Sequence, residues 1–131
     1  MINTEIPLVN VWMVTYNHEN FIAEAIESVL MQQTNFAYKI IIGEDCSTDT
    51  TRKICIEYQK KHPDKIELLL HKNNLGSQKN SYVVHHACKA RYVAMLEGDD
   101  YWTDPLKLQK QVDFMERNPS SSACYHQVKY Y

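Results

Sequence analysis

The sequence predicts an α/β fold in which a mostly parallel sheet carries helices on both faces. Apolar strand-like runs alternate with helix-periodic segments from one end to the other. Hydrophobic residues make up 44% and charged residues 23% of the chain, the balance of a globular domain rather than a disordered one. The 131 residues suit a single domain, 1–131, with a real core, and no repeat or interdomain linker divides them.

The first buried strand is expected over residues 8–15 (Leu-Val-Asn-Val-Trp-Met-Val-Thr). Phe21, Ile22, Ala25, Ile26, Val29 and Leu30 then recur at helical spacing and make one apolar face. Three consecutive isoleucines mark a second strand over residues 39–43. A second helix follows over residues 51–61, with Asp49 or Thr50 placed to cap it. It stops before His62-Pro63, because the residue preceding proline avoids helical angles. Residues 66–70 form a third strand, and Tyr82, Val83, His86, Ala87 and Ala90 suggest a third helical face. A fourth strand covers residues 92–96, and a fourth helix covers 105–117 with proline at its start. A final extended stretch is expected over residues 123–131.

Net charge is −2 with both signs well mixed, which leaves no basic footprint for nucleic acid or anionic lipid. No apolar run approaches the roughly 18 residues of a membrane span, and the first residues lack the pattern of a secretion signal. Cys46, Cys55, Cys88 and Cys124 are widely spaced and read as reduced thiols. These features point to the cytoplasm, either free or peripheral to the inner face of the membrane.

Parallel α/β sheets bind ligands at the carboxyl ends of their strands, near the point where strand order reverses. Three strand ends carry polar clusters: Thr15-Tyr16-Asn17-His18, Glu44-Asp45-Cys46-Ser47-Thr48-Asp49, and Glu97-Gly98-Asp99-Asp100-Tyr101-Trp102. Adjacent carboxylates repel and are costly to bury, so two acidic pairs at one sheet edge suggest a cation or a polyol between them. The plainer reading makes Asp45 and Asp49 turn and capping residues and Asp99-Asp100 a solvated loop. The ligand set is oxygen, which suits Mg2+ or Mn2+ completed by substrate phosphates. His85 and His86 are neighbours on a helix, and no Cys/His spacing supports zinc. The three glycines, Gly43, Gly76 and Gly98, are far apart, which excludes a glycine-rich phosphate loop.

As a set, the three strand-end clusters resemble the signature of family 2 glycosyltransferases. Asn74-Leu75-Gly76 followed by Lys79-Asn80, and Trp102 followed by Pro105, Lys107 and Leu108, fit the same pattern. The resemblance covers about residues 9–125. It implies a Rossmann-like nucleotide-diphosphosugar transferase fold, with the nucleotide across the ends of the first, second and fourth strands. It also implies an inverting, metal-dependent transfer from a nucleotide-diphosphosugar, a UDP-sugar by preference, to a hydroxyl of a saccharide or lipid-linked acceptor, as in polysaccharide biosynthesis. By the match, Thr15 and Tyr16 pack on the base, and Asp45 contacts base or ribose. Asn17 and Glu44 belong to the same nucleotide-binding set. Lys79 and Asn80 lie on the sugar-phosphate side. Asp99-Asp100 matches the DXD-type metal motif, with Asp100 on the ion and Asp99 on the ribose or the ion.

Two departures from the pattern are Cys46, where the family commonly has glycine, and Glu97, in place of a frequent aspartate. Family members also continue into an acceptor-binding half that carries the general base. That base is expected beyond Tyr131, so this chain reads as a truncated, donor-binding part with its acceptor half absent. Apolar sheet surface left uncovered would then favour a homodimer. A non-catalytic nucleotide-sugar-binding module is the nearest alternative. A phosphoreceiver-like domain would place its acidic pair after the first strand, where Thr15-Tyr16-Asn17 stands. A nucleotidyltransferase would open on a glycine-rich loop.

Overall fold

The computed structural model describes residues 5–130. Its elements alternate as the sequence predicts: β1 (Val9–Thr15), α1 (Ile22–Leu30), β2 (Tyr38–Glu44), α2 (Thr51–Lys61), β3 (Ile66–Leu70), α3 (Ser77–Ala87), β4 (Tyr92–Met95) and α4 (Lys107–Arg117). The four strands of the described residues form one parallel sheet in the order β3-β2-β1-β4.

Topology fixes which face each helix covers. Right-handed crossovers from β1 to β2 to β3 step one way across the sheet and put α1 and α2 on one face. The return from β3 to β4, on the far side of β1, puts α3 on the other. One side of the sheet is the larger core, where Val9, Val11, Met13, Ile40 and Ile42 meet Ile22, Ile26 and Val29 of α1, Cys55 of α2, and Leu108 and Val112 of α4. On the opposite face Trp12 and Ile41 pack on Val84 of α3.

Buried polar side chains lock the connections. Asn10 Oδ1 accepts from the backbone N–H groups of Lys89 (2.9 Å) and Ala90 (2.8 Å), fixing the turn into β4. Gln32 does the same for α4: its Oε1 accepts from Leu108 N at 3.0 Å, and its Nε2 donates to Asp104 O at 2.9 Å. The Trp102 to Leu108 segment therefore serves docking. Trp102 and Leu108 enter the core, and Lys107 Nζ lies 4.0 Å over the Trp102 ring.

Two expectations need correction. The buried face of α3 is Asn80 and Val84, not the face through Tyr82 and His86; both of those are exposed, and Ala90 lies past the helix end. Tyr82 and His86 instead stack on each other, ring centroids 4.0 Å apart. The stretch after α4 forms no ladder with any described strand, so 123–130 is irregular backbone rather than a strand; Tyr131 lies outside the described residues. No helix of the described residues is long and apolar enough to cross a membrane.

Candidate functional site

Strand order reverses at β1 and β4, so the crevice expected of such a sheet opens at their carboxyl ends. The register brings the tips level: Thr15 pairs with Glu44, and Glu44 with Leu70. The pairing of β1 with β4 carries on past the strand, as Gly98 N donates to Val14 O at 2.9 Å.

The loops after β1 and β2 interlock. Asn17, at φ 52°, accepts on Oδ1 from Thr48 N (2.8 Å), while its own N–H donates to Ser47 Oγ (3.0 Å). His18 N donates to Thr51 Oγ1 at 2.8 Å. Glu19 Oε2 accepts from Thr50 N and Thr50 Oγ1, and Asp49 Oδ2 accepts from Glu19 N. Asp49 Oδ1 also accepts from Thr51 N at 2.9 Å, so of the two residues placed to cap α2 it is Asp49 that does so. Burial works against its ionised form, but the hydrogen bonds from Thr51 and Glu19 outweigh it and hold the carboxyl below its ordinary value. Asn17 thus spends its side chain on the neighbouring loop, and Tyr16 stands beside it with 42% of its surface exposed.

The first acidic pair faces inward. Glu44 has no exposed surface: Oε1 accepts from Ser47 N at 2.9 Å, and Oε2 pairs with the Arg52 guanidinium. Asp45 is 2% exposed, with Oδ1 accepting from Leu75 N (2.6 Å) and Oδ2 from Gly76 N (3.0 Å). Asn74 Nδ2 closes the clasp on Asp45 O at 3.0 Å. The expectation of two acidic pairs sharing one ligand is therefore corrected. Glu44 and Asp45 neutralise their burial with internal partners, as buried carboxylates must.

The second pair faces outward. Gly98 is buried and lets the tip of β4 lie against β1: an added Cβ would come within 2.7 Å of Thr15 Oγ1 and 3.0 Å of His18 Nδ1. Thr15 Oγ1 and His18 Nδ1 are 3.0 Å apart, and His18 Nε2 reaches to 3.9 Å from Asp99 Oδ2. Asp99 and Asp100 are exposed, in a turn closed by Asp100 N donating to Glu97 O. No group of three His, Cys, Asp or Glu side chains able to hold a metal occurs among the described residues. Two exposed, hard carboxylates fit a Mg2+ or Mn2+ ion that takes its remaining ligands from phosphate oxygens and water. His18 is a residue that strand-end reasoning quoted without a role; it ties the tips of β1 and β4 together.

Lys79 and Asn80 separate. Lys79 is exposed on the first turn of α3, whereas Asn80 is buried beneath β2. Its Nδ2 donates to Gly43 O (2.9 Å), and its Oδ1 accepts from His71 Nε2 (2.8 Å). Because the Asn80 amide nitrogen is committed to a carbonyl, its oxygen faces His71, and His71 carries its proton on Nε2. The His71 carbonyl in turn accepts from Arg52 at 2.6 Å. His71 and Arg52 were not foreseen from the sequence; a glycine inside a strand, Gly43, was the one signal that another group approaches closely there.

The glycosyl transferase family 2 model matches residues 10–131. An uncharacterized protein of Mycobacterium tuberculosis is 41% identical over 116 residues, which cover 88% of this chain and 34% of that protein. The putative teichuronic acid biosynthesis glycosyltransferase TuaG of Bacillus subtilis is 37% identical over 83% of this chain and 42% of its own length. Among solved structures, S. aureus TarS 1–349 in complex with UDP superposes with a TM-score of 0.72 at 26% identity, over 83% of this chain and 32% of that one. A complex of the same TarS fragment with UDP-GlcNAc gives a TM-score of 0.70 at 26% identity, over 83% of this chain and 31% of that one. The chain thus spans between a third and a half of the length of these relatives.

Proposed function

The chain belongs to glycosyl transferase family 2, and from that premise we propose that its carboxyl edge binds the nucleotide-diphosphosugar donor, a UDP-sugar, in a metal-dependent and inverting sugar transfer. The observation that carries this reading is the contrast between the two acidic pairs. Glu44 and Asp45 are consumed by internal partners, while Asp99 and Asp100 face solvent where strand order reverses.

In this reading Asp100, with Asp99 beside it, holds Mg2+ or Mn2+ on the donor diphosphate. The ion, when bound, supplies Lewis-acid stabilisation of the charge that builds on the leaving group. Tyr16 offers an exposed ring beside the interlocked loops, suited to pack against the base. Thr15 is buried and reaches the site through His18, so its part is to place the β1 tip. Asp45 shapes the base end by gathering residues 74–76 around itself. Lys79, exposed at the start of α3, is available to the sugar-phosphate side. Glu44 and Asn80, being buried in the loop and helix supports, act on the donor through those supports. The UDP and UDP-GlcNAc complexes of TarS support uracil as the base.

The base contact is tested by isothermal titration with UDP. Tyr16→Phe, which keeps the ring, retains affinity. Tyr16→Ala, which removes the platform, weakens binding by an amount equivalent to about 1–3 kcal/mol, the usual worth of a base stacked on an aromatic ring. Unchanged affinity in a folded Tyr16→Ala protein would remove Tyr16 from the site.

A further inference from the structure

Asn80 sits one turn into α3, and its backbone N–H donates to Gly76 O at 3.0 Å. Its side chain is 2% exposed and bridges two elements, donating to Gly43 O in β2 and accepting from His71 just after β3. Gly43 is two residues before Asp45, and Gly76 is four residues before Asn80. The amide therefore sets how far the first turn of α3 stands from the end of β2. That spacing decides whether Leu75 N and Gly76 N meet the two oxygens of Asp45. His71 has a second hold: its carbonyl accepts from Arg52, whose guanidinium also pairs with Glu44, and Glu44 in turn accepts from Ser47 N. One hydrogen-bonded chain thus runs from α3 under β2 and into the loop that meets Asn17.

We propose that Asn80 and His71 are positioning residues of the donor site, holding residues 74–76 against Asp45 and the 44–49 loop in its binding geometry. The proposal rests on the donor-site reading above and moves Asn80 from contact with the ligand to the support of the residues that make it. A fully satisfied buried network of this kind rigidifies what it joins. No buried side-chain nitrogen or oxygen among the described residues lacks a partner, so each bond in the chain is spoken for.

The test is residue-resolved amide exchange on the ligand-free chain, followed by UDP titration, for His71→Ala, His71→Gln and Asn80→Ala. His71→Gln keeps a side-chain N–H able to reach Asn80 Oδ1 and keeps the carbonyl for Arg52. The expected result is exchange at Leu75 and Gly76 about tenfold faster in His71→Ala and Asn80→Ala, the scale of one lost hydrogen bond. Amides of Val11 and Met13 in β1 stay as protected as before, and His71→Gln behaves as wild type. UDP affinity falls in the same order. Should Asn80→Ala fail to fold, the His71 pair decides the question, since His71 is less buried. Retained protection at Leu75 and Gly76, or loss only in step with the β1 amides, would overturn the proposal. Absence of UDP binding by the wild-type chain would count against the donor-site reading alone, because the exchange rates judge the positioning role without any ligand.

Discussion

Cys46 stands at φ 59°, in the left-handed region, directly after the clasped Asp45. A side chain there costs about 1–2 kcal/mol, whereas glycine is free of that penalty but loses about 0.5–1 kcal/mol in unfolded-chain entropy. A glycine at this position, which the family resemblance leads one to expect, would thus have a backbone cause. Cys46→Gly is expected to leave stability unchanged or raise it by up to about 1.5 kcal/mol, measured by urea unfolding. A clear fall would show that the 3.6 Å contact of its Sγ with Lys72 O matters more than the strain. Asp49 makes a prediction in pH. Asp49→Ala removes a capping acceptor and should cost about 0.5–2 kcal/mol at neutral pH. Because the folded carboxyl lies below its ordinary value of 3.8, its contribution is present above that value. It is lost as pH falls through the lower folded value, so the gap between wild type and variant should close only below about pH 3.8. A gap that survives full protonation would mean the side chain acts through packing or through hydrogen bonds its neutral form still accepts, rather than through charge. At this scale the sequence shows which residues crowd the strand ends but not which way they face. Asp45 and Asp99 look alike in a sequence, yet one has two backbone N–H partners and the other has open solvent.

Elements were the most legible level, since alternation of strand-like and helical periods follows from burial on both faces of a parallel sheet. Seven of the eight elements fall within a residue or two of where the pattern places them, whereas α3, Ser77–Ala87, begins five residues before the first residue of its expected face and ends three before the last. The misreading of α3 has a physical reason. Its buried stripe is narrow and includes Asn80, a polar residue that is satisfied by Gly43 and His71, so an apolar pattern points to the wrong side. The stretch at 123–130 fails for another reason: strand propensity is local, but a strand exists only through a partner, and among the described residues β4 pairs only with β1. Gly43 ties an element to its neighbour most tightly. An added Cβ would lie 2.2 Å from Asn80 Oδ1 and 2.4 Å from Val84 Cγ2, so α3 would have to move. Gly43→Ala is expected to destabilise by about 1–3 kcal/mol, read from the thermal midpoint, and to loosen the 74–76 loop as well. A neutral substitution would show that α3 is held less closely than its contacts indicate.

On the scale of the molecule, β3 and β4 are the edges of the sheet among the described residues. A cavity of about 500 Å³ is lined by Val93 and Met95 of β4, Leu108 and Val112 of α4, and Tyr125 and Val128 of the stretch that follows. The proposed donor site lies elsewhere, at the strand ends, so nucleotide binding there and any covering of this groove are separable properties. The free thiols also lie outside the proposed metal pair, and burial pushes Cys55 up to about 12, which leaves it unreactive. What the sequence conveyed at this level was the alternation from which a parallel sheet and its carboxyl edge follow, and the polar clusters after β1, β2 and β4 that lie at that edge. The residues that support that edge, Arg52 of α2, His71 just after β3 and Asn80 of α3, are far apart in sequence and meet only in the folded chain.

In the proposed function the outward-facing pair Asp99-Asp100 binds the donor diphosphate through a divalent cation. Isothermal titration of the chain with UDP in Mn2+, and again after chelation, measures it directly, with Asp100→Ala carried through the same two conditions. UDP should bind in Mn2+ and lose most of its affinity on chelation, while Asp100→Ala should bind weakly and equally in both. Equal affinity of the wild-type chain with and without metal, or a metal response preserved in Asp100→Ala, would contradict the assignment.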